Sequence, residues 1–347
     1  MKLIIQIPCL NEEDALPGTL AELPREMPGF DAVEWLVIDD GSTDRTVAVA
    51  RAGGVDHVVR LTNNRGLAAA FQAGLDAGLK LGADVIVNTD ADNQYRAADI
   101  DKLVGPILAG EADMVVGDRQ VRGLAHFSRS KRVLQRLGSW VVRRASGTDV
   151  PDTTSGFRAY NREAALQLQV VSNFTYTLES LIQAGKMLVA VEHVPIGTNP
   201  TQRESRLFPS TFNYVRRNAV ALFRAYAMYE PLRVFTTAAV VLAIAAIAAW
   251  TPFLVDWIVN GDSSGHIQSL ILGAVLAIAA VQMFALGVVG DALAGQRVMT
   301  QRAFERIRRV ELELGIDPSH YERGGGPRIA ADPTDTEHDR LTAGRTD

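Results

Sequence analysis

Cysteine is nearly absent from this chain, which limits the classes of protein to consider. Cys9 is the single cysteine among 347 residues, so a domain held together by internal disulfides is excluded. It lies in an apolar run, and we expect a buried, inert thiol. No Cys/His spacing of the zinc-binding type occurs either.

A large charge of either sign is lacking as well. The formal net charge is −5, which is too modest to indicate nucleic-acid binding. The first apolar segment, Lys2–Cys9, is short, has no basic region before it and runs into proline and acidic residues, unlike a secretory signal peptide. These absences disfavour secreted and nucleic-acid-binding proteins.

The first part of the chain alternates short apolar segments, rich in Val and Ile, with segments of helical periodicity. Strands of this composition are typical of sheets buried on both faces. Strand-then-helix repetition predicts an α/β fold with a mostly parallel sheet and helices on both faces. The predicted strands are 3–8, 35–39, 57–61, 85–89 and 114–117, and the predicted helices are 14–23, 43–52, 66–81 and 97–108.

Polar clusters lie at the ends of the first four predicted strands. In parallel sheets, ligands bind beyond the carboxyl ends of the strands. The clusters therefore predict a binding site at that edge of the sheet. They comprise residues 11–13, 39–44, 63–66 and 90–94.

Two later segments, 234–255 and 267–289, are apolar and carry no charge. A helix of about 22 residues is about 33 Å long, close to the ~30 Å hydrocarbon core of a bilayer. We expect two transmembrane helices, and a pair of buried core helices is the alternative.

Arginines lie at only one end of each span. The link 260–266 has no Lys or Arg, whereas arginines precede the first span and follow the second. The positive-inside rule places both flanks, and with them the N-terminal domain, in the cytosol. The arginines are Arg216, Arg217, Arg224 and Arg233 before the first span, and Arg297, Arg302, Arg306, Arg308 and Arg309 after the second.

The spans divide the chain into four regions. Residues 1–210 form the α/β domain. Residues 211–232 mix aromatic side chains with arginines and predict an amphipathic helix in the headgroup layer, with packing against the α/β domain as the alternative. Residues 233–291 hold the two-helix anchor. Residues 292–347 begin as a basic helix, and the polar composition from Pro318 onward predicts a disordered tail.

Asp90 and Asp92 lie at the end of the fourth predicted strand, two positions apart. Both carboxylates reach one ion if the chain bends out of the pleat there. Hard oxygen donors suit Mg²⁺ or Mn²⁺, with water and diphosphate oxygens completing the coordination. A divalent cation neutralises the charge that develops on a nucleotide-diphosphate leaving group, so the pair predicts a metal site for such chemistry.

Adjacent carboxylates also end the second predicted strand. Gly41 permits a tight turn after Asp39 and Asp40, and Ser42 or Thr43 can cap the following helix. Capping does not explain two adjacent carboxylates, which better fit contacts with a nucleoside base or ribose.

Six short motifs follow one another along the α/β domain. They are Pro-Cys-Leu-Asn-Glu-Glu from Pro8, Ile-Asp-Asp-Gly-Ser-Thr-Asp from Ile38, Asn-Arg-Gly from Asn64, Asp-Ala-Asp-Asn-Gln from Asp90, Gly-Asp-Arg from Gly117 and Asp-Thr-Thr-Ser-Gly-Phe-Arg from Asp152. In this order they resemble glycosyltransferase family 2, and more narrowly its branch of dolichol-phosphate mannosyltransferases and bacterial polyprenyl-phosphate glycosyltransferases. The resemblance covers roughly residues 2–210, and the two spans match members that carry their own anchor.

The resemblance implies a GT-A (Rossmann-like) catalytic domain at 1–210 that binds a nucleotide sugar and inverts its anomeric carbon. It also implies roles for particular residues. Pro8, Asn11, Glu12, Asp39, Asp40 and Asp90 would bind the nucleotide, Asp90, Asp92 and Gln94 would hold Mg²⁺ or Mn²⁺, and Asp92, Arg119 and Asp152 would be catalytic.

Basic residues are expected to bind the acceptor phosphate. By resemblance these are Arg119 and the loop residues Arg203, Ser205 and Arg206; for the loop residues, exposed charges on a solvated loop are the alternative. Arg158 offers positive charge for the same phosphate. Arg129, Lys131 and Arg132 offer further positive charge, although a solvated helix face or contact with anionic lipid explains them equally well.

Asp152 admits two interpretations. A hydroxyl acceptor would require a base, whereas a phosphate monoester is already ionised at neutral pH. Asp152 would then orient a cation or the acceptor, and we favour positioning over proton removal.

The resulting hypothesis is an inverting, metal-dependent hexosyltransferase. It moves a sugar from GDP-mannose or a UDP-sugar to a polyisoprenyl phosphate at the cytosolic membrane face, with a homo-oligomer implied by resemblance. Alternatives are a processive polysaccharide synthase, another lipid glycosyltransferase and an inactive membrane scaffold. The chain lacks the Gln-x-x-Arg-Trp motif of processive synthases, and the intact Asp90 and Asp92 disfavour an inactive scaffold.

Overall fold

The computed structural model describes residues 1–120, 142–144, 146–170, 176–199, 223, 227–261 and 266–322. The catalytic domain predicted at 1–210 falls mostly within these ranges, whereas most of the predicted amphipathic helix falls outside them.

Within the described residues, eight strands form a single sheet. They are β1 (Lys2–Cys9), β2 (Ala32–Asp39), β3 (His57–Arg60), β4 (Val85–Asn88), β5 (Met114–Asp118), β6 (Arg158–Asn161), β7 (Val191–Pro195) and β8 (Tyr321–Glu322). Their order across the sheet is β7-β5-β6-β4-β1-β2-β3-β8. The five predicted strands correspond to β1–β5, and β6, β7 and β8 were not predicted.

The central strands are parallel, as the strand–helix alternation predicted. β1 pairs in parallel with β2 and β4, and β2 pairs in parallel with β3. β6 lies antiparallel between β4 and β5, which themselves point the same way. The carboxyl ends of β1, β2, β3 and β4 therefore meet at one edge of the sheet.

Helices cover both faces of the sheet. Those of the α/β domain are α1 (Leu16–Glu22), α2 (Thr46–Ala52), α3 (Leu67–Lys80), α4 (Ile100–Leu108), α5 (Arg162–Gln167) and α6 (Tyr176–Lys186), with a short 3₁₀ turn at Ala97–Asp99 before α4. The four helices predicted from periodicity correspond to α1–α4. Each is shorter than predicted at one or both ends.

Successive residues of β1 belong to two separate hydrophobic cores. Ile4 packs in the core that contains Phe71 of α3, whereas Leu3 and Ile5 pack in the core that contains Leu103 of α4. This arrangement explains the continuous apolar runs of the central strands, because side chains on both faces of the sheet are buried.

Two long helices follow the α/β domain, α7 (Pro231–Asn260) and α8 (Ile267–Glu313), and they pack against each other. Both are long and apolar enough to cross a membrane. Only 11% of the most apolar window of α7 and 17% of that of α8 is buried against the described part of the protein. Buried core helices are therefore excluded as their explanation, and membrane association of the chain follows from these two helices.

Helix α8 continues beyond its apolar part and docks on the α/β domain. Arg308 donates from Nη1 to the Leu166 and Leu168 carbonyls at the end of α5, at 3.2 and 2.8 Å. Glu311 forms an ion pair with Lys80 of α3 at 2.9 Å. The helix is 47 residues long, about 70 Å at 1.5 Å per residue, so one continuous element joins the bilayer-length segment to the α/β domain.

The prediction that disorder begins at Pro318 was wrong for residues 318–322. Pro318 is buried, and Tyr321–Glu322 pair antiparallel with Val58 and Val59 of β3. Composition alone missed this strand because two residues that complete an existing sheet edge need little apolar content of their own. Residues 323–347 lie outside the described residues.

Candidate active site

The acidic pair Asp90 and Asp92 follows β4 on a backbone that is fixed from both sides. The Asn88 side-chain amide accepts from Gln6 Nε2 and donates to the Gly156 carbonyl, both at 2.8 Å. Beyond Asp90, Thr19 Oγ1 donates to the Ala91 carbonyl at 2.8 Å. These bonds hold the segment in which the chain leaves the sheet. A bend at this point is what allows Asp90 and Asp92 to reach one ion.

The Asp90 carboxylate lies against Gly156 and two tyrosines. A Cβ added at Gly156 would come within 3.2 Å of Asp90 Oδ1 and 2.6 Å of the Tyr176 hydroxyl, so the close approach requires glycine. The Tyr95 hydroxyl accepts from the Gly156 amide at 3.0 Å and hydrogen-bonds with Asp90. The Tyr95 ring stacks on Phe157 with 5.0 Å between centroids, which fixes the hydroxyl beside Asp90.

Burial, together with a smaller contribution from the nearby charge of Asp92, raises the pKa of the Asp90 carboxyl to about 7. The positive charge of Arg119 and the Tyr95 hydrogen bond act in the opposite direction. A buried carboxylate beside a second carboxylate is a favourable environment for a cation, because a divalent charge stabilises the ionised form of Asp90.

The donor set fits Mg²⁺ or Mn²⁺ bound in part by other molecules. Among the described residues, no group of three or more His, Cys, Asp or Glu side chains is placed to hold a metal ion. Asp90 and Asp92 would thus supply the acidic ligands, with water and diphosphate oxygens as the remainder. The Gln94 backbone amide donates to Asp92 Oδ1 at 3.1 Å, and ligation by the Gln94 side chain stays a prediction.

A segment distant in sequence holds the loop after the acidic pair through hydrogen bonds, and this contact was not predicted. The Asn199 amide donates to the Gln94 carbonyl at 2.9 Å, and its side chain donates to the Asn93 carbonyl at 3.1 Å. Asn93 adopts a positive φ of 54°, and Thr198 bridges to Tyr95. The polar run Gly-Thr-Asn-Pro at 197–200 was a signal for a turn but not for its partner.

Arg119 and Asp152 form an ion pair close enough to the acidic pair for the charge of Arg119 to act on Asp90. Arg119 Nε donates to Asp152 Oδ2 at 2.7 Å and Arg119 Nη2 donates to Asp152 Oδ1 at 3.0 Å. Arg119 Nη2 also donates to Thr154 Oγ1 at 2.8 Å. The side chain of Asp152 is 3% exposed and that of Arg119 is 19% exposed, so the arginine is the more accessible partner.

Burial alone would raise the pKa of the Asp152 carboxyl, but the hydrogen bonds and charge of Arg119 outweigh burial and lower the pKa below its ordinary value. A carboxylate with a lowered pKa and both oxygens bonded is a weak proton acceptor. Positioning of Arg119 is therefore the better interpretation of Asp152.

The prediction that Arg158 binds the acceptor phosphate was wrong in this geometry. Arg158 is fully buried in β6, and its guanidinium donates to the carbonyls of Ser155 and Thr153 at 2.8 and 3.0 Å. It also donates to Ser180 Oγ at 2.9 Å. All three partners belong to the protein interior, so Arg158 holds the loop that precedes β6 instead of facing a lipid.

Asp39 and Asp40 lie at the end of β2, each in a distinct set of bonds. Asp39 Oδ1 accepts from the Ser42 amide at 2.9 Å. Asp40 accepts from the amides of Arg65 and Gly66 at 2.7 and 2.8 Å, which fixes the loop after β3. Burial raises the pKa of the Asp40 carboxyl, and these two amides partly offset the effect.

The turn at Gly41 brings these two loops into contact. Gly41 has a φ of +76°, and a Cβ there would lie 2.7 Å from the Asn63 carbonyl carbon and the Asn64 nitrogen. No other residue fits without displacing backbone, so the tight turn inferred from the sequence has a second, steric cause.

The segment after β1 lies beside the same turn. Asn11 Oδ1 accepts from the Thr43 amide at 2.8 Å, and the Asn11 amide donates to Ser42 Oγ at 2.9 Å. The Glu12 amide donates to Thr46 Oγ1 at 2.9 Å. Pro8 pairs with Ile38 in the β1–β2 ladder. The structure thus brings the predicted nucleotide-binding residues of both strands together.

A cavity of about 430 Å³ opens beyond the ends of β2 and β3. Its size suits part of a nucleotide, and Arg60 Nε lies 3.4 Å from Asp39 Oδ2 at its wall. The cavity is lined by Gly41, Ser42, Thr43, Arg60, Leu61, Thr62 and Glu322. Neither Arg60 nor Glu322 was among the predicted site residues.

Several predicted residues lie outside the described residues. They are Arg203, Ser205 and Arg206 of the acceptor loop and the basic residues Arg129, Lys131 and Arg132. The expected burial of the Cys9 thiol is confirmed, because its side chain lies in the core and burial raises its pKa.

Comparison with known proteins shows which proteins this chain is similar to. A model of glycosyl transferase family 2 matches residues 4–168. The undecaprenyl-phosphate mannosyltransferase of Micrococcus luteus is 30% identical over 206 residues, which cover 56% of this chain and 83% of that protein. The dolichyl-phosphate hexose transferase of Haloferax volcanii is 32% identical over 203 residues, 57% of this chain and 83% of its own length.

A solved structure shares the fold. Glucosyl-3-phosphoglycerate synthase from Mycobacterium tuberculosis, in complex with Mn²⁺, UDP-glucose and phosphoglyceric acid, superposes with a TM-score of 0.51 at 22% identity, covering 65% of this chain and 80% of that one. Fold and site together define a glycosyltransferase of the GT-A type. The chain belongs to glycosyl transferase family 2, which confirms the resemblance read from its motifs.

Proposed function

We propose that the chain transfers a hexose from a nucleotide-diphosphate sugar to a polyisoprenyl phosphate at the cytosolic face of a membrane. One observation carries the proposal: the Asp90/Asp92 pair and the Arg119–Asp152 ion pair share a catalytic domain that α8 joins to a bilayer-length anchor. The names of the two relatives in Micrococcus luteus and Haloferax volcanii support the acceptor class.

Asp90 and Asp92 are the residues that would hold Mg²⁺ or Mn²⁺, with Gln94 beside them. When bound, the cation supplies neutralisation of the charge that develops on the diphosphate leaving group. The protein itself holds the loop that carries the two carboxylates through the hydrogen bond from Thr19 to the Ala91 carbonyl. The Tyr95 hydroxyl fixes the carboxylate of Asp90 by a hydrogen bond.

In the transfer, an acceptor phosphate oxygen bonds to the anomeric carbon as the bond from that carbon to the donor diphosphate breaks. The products are a polyisoprenyl-phosphate hexose with inverted configuration and a nucleoside diphosphate. The second pKa of a phosphate monoester is about 6, so the attacking oxygen is already ionised at neutral pH and no protein base is required.

Arg119 is the cation that this reaction uses from the chain itself. Asp152 and Thr154 hold its guanidinium, while 19% of the side-chain surface stays exposed. A preorganised guanidinium recognises phosphate oxygens without the entropy loss of ordering a free arginine. Asp152 therefore acts through Arg119 by fixing its direction.

The cytosolic orientation rests on charge. Arg233 precedes the apolar part of α7, and several arginines follow the apolar part of α8, whereas Gly261 and His266 at the opposite end have none beside them among the described residues. A cytosolic catalytic domain also has direct access to sugar nucleotides. Homo-oligomerisation stays a prediction from the resemblance.

Incubation with defined donors and acceptors tests the proposal. The purified full-length protein is mixed with GDP-mannose, UDP-glucose or another UDP-sugar, together with undecaprenyl or dolichyl phosphate, and products are identified by mass spectrometry. We expect a polyprenyl-phosphate hexose from one donor and none from the Asp92→Asn variant. A glycosylated diacylglycerol or a growing polysaccharide, without that product, would contradict the proposed acceptor.

A further inference from the structure

Strand β8 brings the last described residues to the edge of the sheet at which the cavity beyond β2 and β3 lies. Tyr321 and Glu322 pair with Val59 and Val58, and the Arg60 amide donates to the His320 carbonyl at 3.0 Å. Residues 314–320 are all that separates this strand from the end of α8. Residues 314–322 thus lead from the membrane-linked helix to the cavity next to Asp39.

Glu322 is the acidic residue that β8 contributes to this cavity. It forms an ion pair with Arg51 of α2, and its Oε1 lies 3.9 Å from Arg60 Nη1. On its other side, Arg60 Nε lies 3.4 Å from Asp39 Oδ2. Arg60 is therefore held between a fully buried carboxylate of β2 and a partly exposed carboxylate of β8.

We propose that β8 forms one wall of the donor-nucleotide site and that Glu322 is a positioning residue, which holds Arg60 toward the nucleotide. This inference rests on the proposed function in one respect, namely that the sugar donor carries a nucleotide. Glu322 and Arg60 line the same cavity as Ser42 and Thr43, at the edge of the sheet where the carboxyl ends of β2 and β3 meet.

The physical reason is the freedom of the Arg60 side chain. It is 52% exposed, so a single partner would leave its guanidinium with many accessible rotamers. Asp39 is itself fixed by the Ser42 amide, and Glu322 provides the second anchor. Loss of one partly exposed anchor should weaken nucleotide binding about fivefold, which is the upper end of what a surface ion pair contributes.

A purely structural role for β8 predicts a different result. β8 covers the free edge of β3, and Tyr321 hydrogen-bonds with His57 Nδ1 at 2.8 Å, so the strand also protects the sheet. Tyr321→Phe weakens this docking without changing charge at the cavity. If Glu322 only helped to dock the strand, both variants would lower the melting temperature and affect nucleotide binding alike.

The test measures nucleotide binding and thermal stability on the full-length protein in detergent. Isothermal titration with UDP and with GDP, each with Mn²⁺, is applied to wild type, Glu322→Gln, Glu322→Asp and Tyr321→Phe. Glu313→Gln, the same change at an exposed residue, is the matched control. We expect Kd to rise about fivefold in Glu322→Gln at an unchanged melting temperature, with partial recovery in Glu322→Asp and wild-type binding in the control.

Each other outcome is decisive. Unchanged or tighter binding in Glu322→Gln, or a loss that tracks the melting temperature as in Tyr321→Phe, overturns the positioning role. If the wild type binds neither nucleotide, the nucleotide donor and this inference fail together. If it binds one of them with the expected Glu322 dependence but transfers no sugar to polyprenyl phosphate, only the proposed acceptor fails.

Discussion

Arg119 and Asp152 form a two-point ion pair in which the carboxylate is buried and the guanidinium keeps part of its surface exposed. The sequence motifs placed both residues in the site but did not show that they contact each other. The contact assigns them one joint task, because Asp152 cannot lose Arg119 without leaving a buried charge unpaired.

Replacement of Asp152 by Asn should lower the single-turnover rate about a hundredfold, because Arg119 then loses the partner that aims it. The pH–rate profiles of the wild type and of Asp152→Asn should both change near pH 6, which is about the second pKa of the acceptor phosphate. Asp152 should not contribute to this change, because its pKa is lowered from its ordinary value. Rates against pH at saturating polyprenyl phosphate give the comparison.

Asp149→Asn is the matched control, because the side chain of Asp149 is fully exposed. Its rate should equal that of the wild type. A limb present in the wild type and missing in Asp152→Asn would make Asp152 the general base and contradict the positioning role.

Loss of one carboxylate of the acidic pair should abolish metal-dependent turnover. Asp92→Asn is expected to reduce the rate by about a hundredfold or more, since part of the charge stabilisation of the leaving group is lost. EDTA should inhibit the wild type, and added Mg²⁺ or Mn²⁺ should restore it. Asp101→Asn, on the exposed face of α4, should keep wild-type activity. Full activity in excess chelator would exclude the metal site.

Arg158 should matter for stability, not for acceptor affinity. Arg158→Met leaves the Thr153 and Ser155 carbonyls and the Ser180 hydroxyl without their donor. We expect a loss of about 2–3 kcal/mol in the free energy of unfolding and a melting temperature lower by about 5 °C or more. Thermal unfolding in detergent measures it, with the exposed Arg302→Met as control.

The KM for polyprenyl phosphate distinguishes this structural role of Arg158 from a role in binding the acceptor. If Arg158 bound the lipid phosphate, the variant would melt like the wild type and show a raised KM for polyprenyl phosphate. A protein that is destabilised but keeps the wild-type KM agrees with the buried position.

The parts of the fold that the sequence predicted are those where local pattern and burial coincide. Runs such as that of β1 are apolar because both faces are buried, and the polar residues after Asn88 mark the edge where the strand ends. Features that depend on distant partners were missed or misjudged. The strand at Tyr321 needs β3 as a template, and the role of Arg158 depends on Ser180, which lies 22 positions away on α6.

Cysteine labelling tests which side of the membrane holds the catalytic domain. The single native thiol, Cys9, is buried and should stay silent, so introduced cysteines report alone. His266→Cys lies at the start of α8 in the link between the spans, and Glu313→Cys lies at the opposite end of the same helix. Both positions are exposed. Because arginines cluster on the Glu313 side, an impermeant thiol reagent added to intact cells should label His266→Cys and spare Glu313→Cys until the cells are broken. Comparable labelling of both variants in broken cells is the control for reactivity. Labelling of Glu313→Cys but not His266→Cys in intact cells would place the catalytic domain outside, away from cytosolic sugar nucleotides, and would contradict the proposed orientation.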